Sequence, residues 1–128
     1  MNEWMDRLNG VPITSTEDAL HSYAELHMGF ISIHPFFDGN GRLARIVSNI
    51  PLLRHGMPPI MISAKNRMKY IENLARYQRL GKIFPDDSDM MPFVAFLKEE
   101  WKGTLEILED ARDRQRQRDA RERLCLSC

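Results

Sequence analysis

Apolar residues recur at intervals of three and four along most of the chain, which predicts a succession of helices and no sheet. Trp4, Met5 and Leu8 fall on one face of a helix that Gly10 and Pro12 stop, so the chain opens on what reads as a helix end. Ser15 or Thr16 caps the next helix, with Asp18 in its first turn and Leu20, Tyr23, Ala24, His27, Phe30 and Ile31 on its apolar side. A further apolar face, Leu43, Ile46, Val47, Ile50 and Leu53, is expected at the centre of the bundle, ending at Gly56 ahead of Pro58 and Pro59. Pro51 lies within that pattern, where a helix interior would lose about 3 kcal/mol and a hydrogen bond, so a kink or an early break is expected there. Ile60, Met61 and Ile62 form a run suited to a connector or an edge strand.

From Asn66 to about Leu80 the spacing predicts a helix that buries Ile71, Leu74 and Tyr77, with Leu80 at its end and Gly81 stopping it. Ser88 or Asp89 then caps a last helix, with Pro92 in its first turn and a stripe of Phe93, Phe96, Leu97, Trp101, Leu105 and Leu108. Beyond Leu108 the stripe stops. Residues 109–123 carry six arginines and five acids with only Ala111 and Ala120 apolar, the composition of a solvated helical extension or a disordered tail. The expected architecture is therefore all-α: a small helical bundle over residues 1–108 and a charged segment over 109–128.

Composition narrows the partners. With 128 residues the chain suffices for one domain. Eighteen basic and eighteen acidic side chains cancel, which leaves no global field for nucleic acid or an acidic membrane, so any anion site must be local. The arginines of the tail are interleaved with acids and lack aromatics on which bases could stack, which disfavours a nucleic-acid role. No apolar run approaches the ~20 residues of a bilayer span and the start lacks a signal pattern, so the expectation is a cytoplasmic protein. Both cysteines, Cys125 and Cys128, sit in the last four residues as free thiols. The ending Cys-Leu-Ser-Cys departs from a prenylation box, because Ser127 is not aliphatic.

The chemistry is concentrated in His34–Arg45, His-Pro-Phe-Phe-Asp-Gly-Asn-Gly-Arg-Leu-Ala-Arg. Pro35 ends the preceding helix, and Gly39 and Gly41 allow the backbone to turn its N–H groups toward an anion. A helix starting near Gly41 would add its positive end, with Arg42 and Arg45 a turn apart. His34 supplies an imidazole that can serve as a base and Asp38 a hard-cation ligand. A Gly-rich turn between helices would need neither the acid nor two arginines at that spacing. His27, on the apolar face, reads as a structural histidine, whereas Phe36 reads as an anchor buried beneath the loop. Lys65, Arg67 and Lys69 read as a solvated face or as groups facing a nucleotide.

This stretch resembles the signature of the Fic family, His-x-Phe-x-Asp/Glu-Gly-Asn-Gly-Arg-x-x-Arg, at all eight specified positions. The likeness extends over roughly residues 3–108, through His27, Ile33, Pro58-Pro59, Arg67-x-x-Tyr70 and Pro92-Phe93. The resemblance implies an AMP transferase that uses ATP and Mg²⁺ to modify a Ser, Thr or Tyr hydroxyl of a target protein. In that reading His34 is the general base and Asp38 holds Mg²⁺. Gly39, Asn40 and Gly41 hold the phosphates, and Arg42 and Arg45 brace the β- and γ-phosphates. The intact Gly39-Asn40-Gly41 points to nucleotidyl transfer, since related phosphotransferases differ at the first of these positions.

Tyr70 matches a position near the base pocket, while its own spacing equally suits a core residue. Family members carry a first helix and a target-aligning flap before the point where this sequence starts. Their absence here implies an uncovered bundle face open to self-association. It also leaves an alternative reading, a truncated nucleotide- or partner-binding module with little transferase activity. No glutamate follows a Ser or Thr by four residues, so the family's inhibitory helix is not expected within these residues. Control would fall to an upstream segment or to a separate regulatory or antitoxin-like protein.

Overall fold

The structure, a computed structural model, describes residues 1–126 and is all-α among them. Helix α1 spans Asn2–Gly10 and α2 spans Thr16–Ile33. The motif loop follows, then α3 over Asn40–Val47 and the short α4 over Ile50–Arg54. A single 3₁₀ turn, Ala64–Asn66, leads into α5, Arg67–Gln78, and α6 runs from Asp87 to Leu126. Cys125 is exposed on α6, while Cys128 and the terminal box lie outside the described residues.

Helix α2 is the axis of the bundle, packed by α1, α3, α4, α5 and α6. The Ser15 hydroxyl accepts from the Asp18 N–H at 3.1 Å and so caps its first turn. Ten of its residues are buried, among them Leu20, Tyr23, Ala24, His27 and Phe30 from the expected stripe. One core cluster joins α2 to α5 and α6 through Tyr23, Met28, Tyr70, Tyr77, Phe93, Leu97 and Trp101. A second joins it to α1 and α3 through Trp4, Leu8, Leu26, Phe30 and Ala44. Trp4 is tied down there, its indole N–H donating to the Leu26 carbonyl at 2.8 Å while its ring meets Phe30 edge-on at 5.3 Å.

The early break at Pro51 is present. Helix α3 ends at Val47, Ser48 and Asn49 turn, and Pro51 sits in the first turn of α4, where its missing N–H costs nothing. Asn49 closes this break with its side chain, donating to the Arg45 and Ile60 carbonyls and accepting from the Ile60 N–H at 2.8 Å. The Ile60–Ile62 run is accordingly a connector, with Ile60 buried.

Several apolar positions lie elsewhere than the spacing predicts. Met5 is exposed beside the buried Trp4 and Leu8. On α3 and α4 the fully buried residues are Asn40, Ala44, Pro51 and Leu52; of the expected face Leu43, Val47 and Ile50 are partly buried against the core, whereas Ile46 and Leu53 face outward. Ile71 and Leu80 are also exposed, and α5 buries the expected Tyr77 together with Tyr70. The last helix starts earlier than expected: Asp86 accepts from the Asp89 N–H at 2.9 Å and Asp89 accepts from the Asp86 N–H at 3.1 Å, a reciprocal cap that leaves Pro92 in the second turn. The charged segment continues α6 as a helix through Leu126, solvated over residues 109–118.

Candidate active site

The site forms where α2 ends. His34 has φ 51° and ψ 58°, a left-handed conformation that a β-branched residue would resist, and its N–H still closes the last turn onto the Phe30 carbonyl at 3.0 Å. Holding a non-glycine residue there costs of order 1 kcal/mol or more, supplied by the packed helix behind it. Pro35 then forbids any return to helix. The loop that follows is held mainly by Asn40, whose buried amide spans the Phe36 peptide. Its Oδ1 accepts from the Phe36 N–H at 3.1 Å and its Nδ2 donates to the Phe36 carbonyl at 2.6 Å. Phe36 itself is half exposed, its ring 6.5 Å from that of Phe30, so the loop is fixed through this backbone rather than by a buried aromatic anchor.

Gly39, at φ 81°, supplies the second left-handed turn and delivers the chain into α3. Its N–H is taken by Asp38 Oδ1 at 2.8 Å, which leaves the other Asp38 oxygen open to solvent. The first amides of α3, at Asn40, Gly41 and Arg42, have no preceding turn to bond and carry the positive end of the helix. Leu43 is the first to find a helical carbonyl, donating to Gly39 at 3.0 Å. A Cβ on Gly41 would lie 3.6 Å from Arg45 Nη1, which shows how closely that guanidinium lies over the first turn.

These groups open on a cleft of about 480 Å³, within the roughly 300–1,000 Å³ of small-molecule sites. One half is lined by His34, Asp38, Gly39, Asn40, Gly41, Arg42 and Arg45, joined from across by Arg67. The other half is an apolar wall of Ile31, Ile71, Leu74 and Ala75 with Gln78 at its end. Among the described residues lining the cleft, three guanidiniums stand against a single carboxylate, which makes the first half electropositive, while the second is mainly apolar. The Asn40 amide nitrogen lies 3.4 Å from His34 Nδ1 and 3.3 Å from Nε2, steadying the ring without committing either nitrogen.

Seven of the eight site residues expected from the sequence thus line one cleft. Tyr70 does not line it; it is buried behind the wall, its hydroxyl accepting from Arg45 Nη1 at 3.2 Å and lying 2.7 Å from His27 Nε2. Burial raises the Tyr70 phenol, opposed by Arg45, and pushes His27 down to about 3, with desolvation first and the Arg45 charge second. Sequence reasoning missed the α5 wall. Arg67, Ile71, Leu74, Ala75 and Gln78 share one helical face, but the spacing of Ile71 and Leu74 reads as a core stripe, and Leu74 does also pack against the core. Of the three basic residues there, Arg67 reaches the cleft, whereas Lys65 and Lys69 are exposed away from its lining.

The family described as Fic/DOC matches residues 1–52, a span that includes the whole loop and the start of α4. A protein of Drosophila willistoni named "Protein adenylyltransferase Fic" is 34% identical over 110 residues, 84% of this chain. The chain belongs to the Fic/DOC family. Proteins of the same name from Drosophila erecta and Drosophila melanogaster are 37% identical over 87 residues, 67% of this chain. The chain spans 20% of the length of the first of these relatives and 16% of the other two. No solved structure matches. The Fic/DOC match and the cleft coincide at the loop, whereas α5, which builds the opposite wall, lies beyond the matched span.

Proposed function

We propose that this domain binds ATP in the cleft and transfers AMP from it to a hydroxyl of a target protein, releasing pyrophosphate. The observation that carries the reading is the convergence of His34, the first amides of α3, and Arg42, Arg45 and Arg67 on one cleft with an apolar wall. The similarity to proteins named adenylyltransferases supports AMP as the group moved. The triphosphate lies over the start of α3, where amides and guanidiniums neutralise its charge, and Arg45 and Arg67 take its far end through forked donors. The nucleoside rests on Ile31, Ile71 and Leu74, within reach of the Gln78 amide.

His34 takes the proton from the attacking hydroxyl. Its imidazole sits at the mouth, with both ring nitrogens uncommitted to a protein carbonyl or carboxylate, so one can accept while the other faces water. Asp38 fits Mg²⁺: among the described residues it is the only carboxylate lining the cleft and keeps one free oxygen, and Mg²⁺ is commonly held by one or two carboxylates plus substrate phosphates. Bound there, the cation would neutralise charge developing on the phosphates. The target approaches over the exposed loop, past Phe37, which is fully open to solvent.

The test is transfer of α-labelled ATP onto lysate proteins by the wild type and by His34→Ala. Loss of label by about 10²–10⁴ in the variant, with ATP affinity kept within a few fold, is expected of a general base. Equal labelling by the variant would remove His34 from that role. Binding of ATP without any transfer by the wild type would favour a nucleotide-binding module.

A further inference from the structure

We infer that Tyr70 is a positioning residue for Arg45, and that buried His27 sets the direction in which Tyr70 holds it; this rests on the nucleotide reading above. Tyr70 comes from α5 and is 5% exposed, so its hydroxyl must find its partners inside the protein. It has two: Arg45 Nη1 at 3.2 Å on one side and His27 Nε2 at 2.7 Å on the other.

One assignment of protons gives both contacts and also a partner for the phenol hydrogen, and it places the His27 proton on Nδ1, which is buried without a hydrogen-bond partner. A guanidinium has no lone pair to offer, so Arg45 donates and the phenol oxygen accepts. The phenol's single hydrogen is then free for His27, whose Nε2 must be unprotonated to receive it. His27 is fully buried and stays neutral well below physiological pH, and in its Nδ1–H tautomer Nε2 is the acceptor. The chain of donation thus runs outward to inward, Arg45 to Tyr70 to His27. A protonated His27 would turn the phenol hydrogen back toward the guanidinium and break the arrangement.

The consequence falls on the cleft. One Nη1 hydrogen of Arg45 is spent on Tyr70 while the guanidinium rests over the Gly41 turn, which leaves its other donors aimed at the anion half. The ring of Tyr70 lies 5.5 Å from Arg45 Cζ and 5.4 Å from the His27 ring, so the same side chain also limits sideways movement. An arginine held in this way loses less freedom on binding phosphate than one free in water. Sequence alone could assign Tyr70 to a base pocket or to the core. Its place behind Arg45 makes it a third kind of residue, in contact with no ligand but deciding how well a ligand is held.

The test combines a measurement on the free protein with a double-mutant cycle. In the ¹⁵N spectrum of the wild type the Arg45 guanidinium should show slow Nη rotation, and Tyr70→Phe should bring it to the fast rotation of an exposed arginine. ATP titrations of wild type, Tyr70→Phe, Arg45→Ala and the double variant should then show Tyr70→Phe weakening affinity about ten-fold, or ~1.4 kcal/mol, with no further loss in the Arg45→Ala background. Fast rotation in the wild type, unchanged rotation in Tyr70→Phe, or an equal loss in both backgrounds would overturn the inference. Absence of ATP binding in every variant would sink the nucleotide reading, while the rotation data on the wild type still decide whether Tyr70 holds Arg45.

Discussion

Replacing Gly29 by alanine puts two opposing effects of similar size against each other. Gly29 lies inside α2, where alanine is favoured over glycine by about 0.8–1.0 kcal/mol, so helix propensity alone predicts a more stable protein. The structure predicts the reverse. A Cβ at this position would lie 3.2 Å from Trp4 Cδ1 and 3.3 and 3.4 Å from two carbons of the Phe84 ring. Neither neighbour can move cheaply: Trp4 is bonded to the Leu26 carbonyl and packed on Phe30, and the Phe84 ring carries the Arg7 guanidinium 3.9 Å from its centroid. Overpacking of this kind costs about 1–3 kcal/mol. Set against the propensity gain, a net loss of about 1 kcal/mol remains, or a fall of roughly 3–5 °C in Tm for a domain of this size. Thermal unfolding followed by circular dichroism at 222 nm measures it, and repeating it in a Phe84→Leu background should recover part of the loss by making room. A Gly29→Ala variant that melts above the wild type by the full propensity gain would show that α1 and the Phe84 segment are loose enough to yield.

Two further predictions concern the cleft and the core. Arg67→Ala should weaken ATP binding about three- to ten-fold by calorimetry, the scale of an exposed charged contact, while Lys65→Ala and Lys69→Ala should not; equal effects from all three would mean that only net charge matters. His27 sits near 3 in the fold against an ordinary 6.5 when unfolded, so below pH 6.5 the unfolded chain binds a proton that the native state refuses. Stability should be full above pH 6.5 and fall as pH drops, by about 2 kcal/mol at pH 5, and urea midpoints should show a flatter slope in His27→Gln over that window.

The sequence discloses most where the chemistry is contiguous. Within His34–Arg45 the turn residues, the base and the charges stand in fixed order, so local rules reach the site without knowledge of the fold. The opposite wall is formed by α5, and its face could not be read because α5 is amphipathic in two directions: Tyr70 and Tyr77 point to the core while Ile71 and Leu74 line the cleft. A cleft-facing Ile71 and a core-facing Ile71 have the same spacing. Ile46 and Leu53 are exposed while the small residues Ala44 and Ser48 are buried, and small buried residues give a weak periodic signal. The roles of Tyr70 and His27 needed three dimensions, because Arg45 and its two supports come from three different helices.

The length of α6 changes how the molecule moves in water. Its packed part ends near Leu108, and the 18 residues from Glu109 to Leu126 continue as helix, a rod of about 27 Å at 1.5 Å per residue. A compact chain of this size has a radius of gyration near 14 Å, or a diameter of about 36 Å as a uniform sphere, so the rod adds roughly three-quarters of a body diameter in reach. The particle is a short-handled mallet rather than a ball. Its frictional drag should exceed that of a sphere of 15.0 kDa, and a single copy should leave a gel-filtration column early. An apparent mass read from elution volume would then report the handle as if it were a second subunit, whereas scattering-based mass would not.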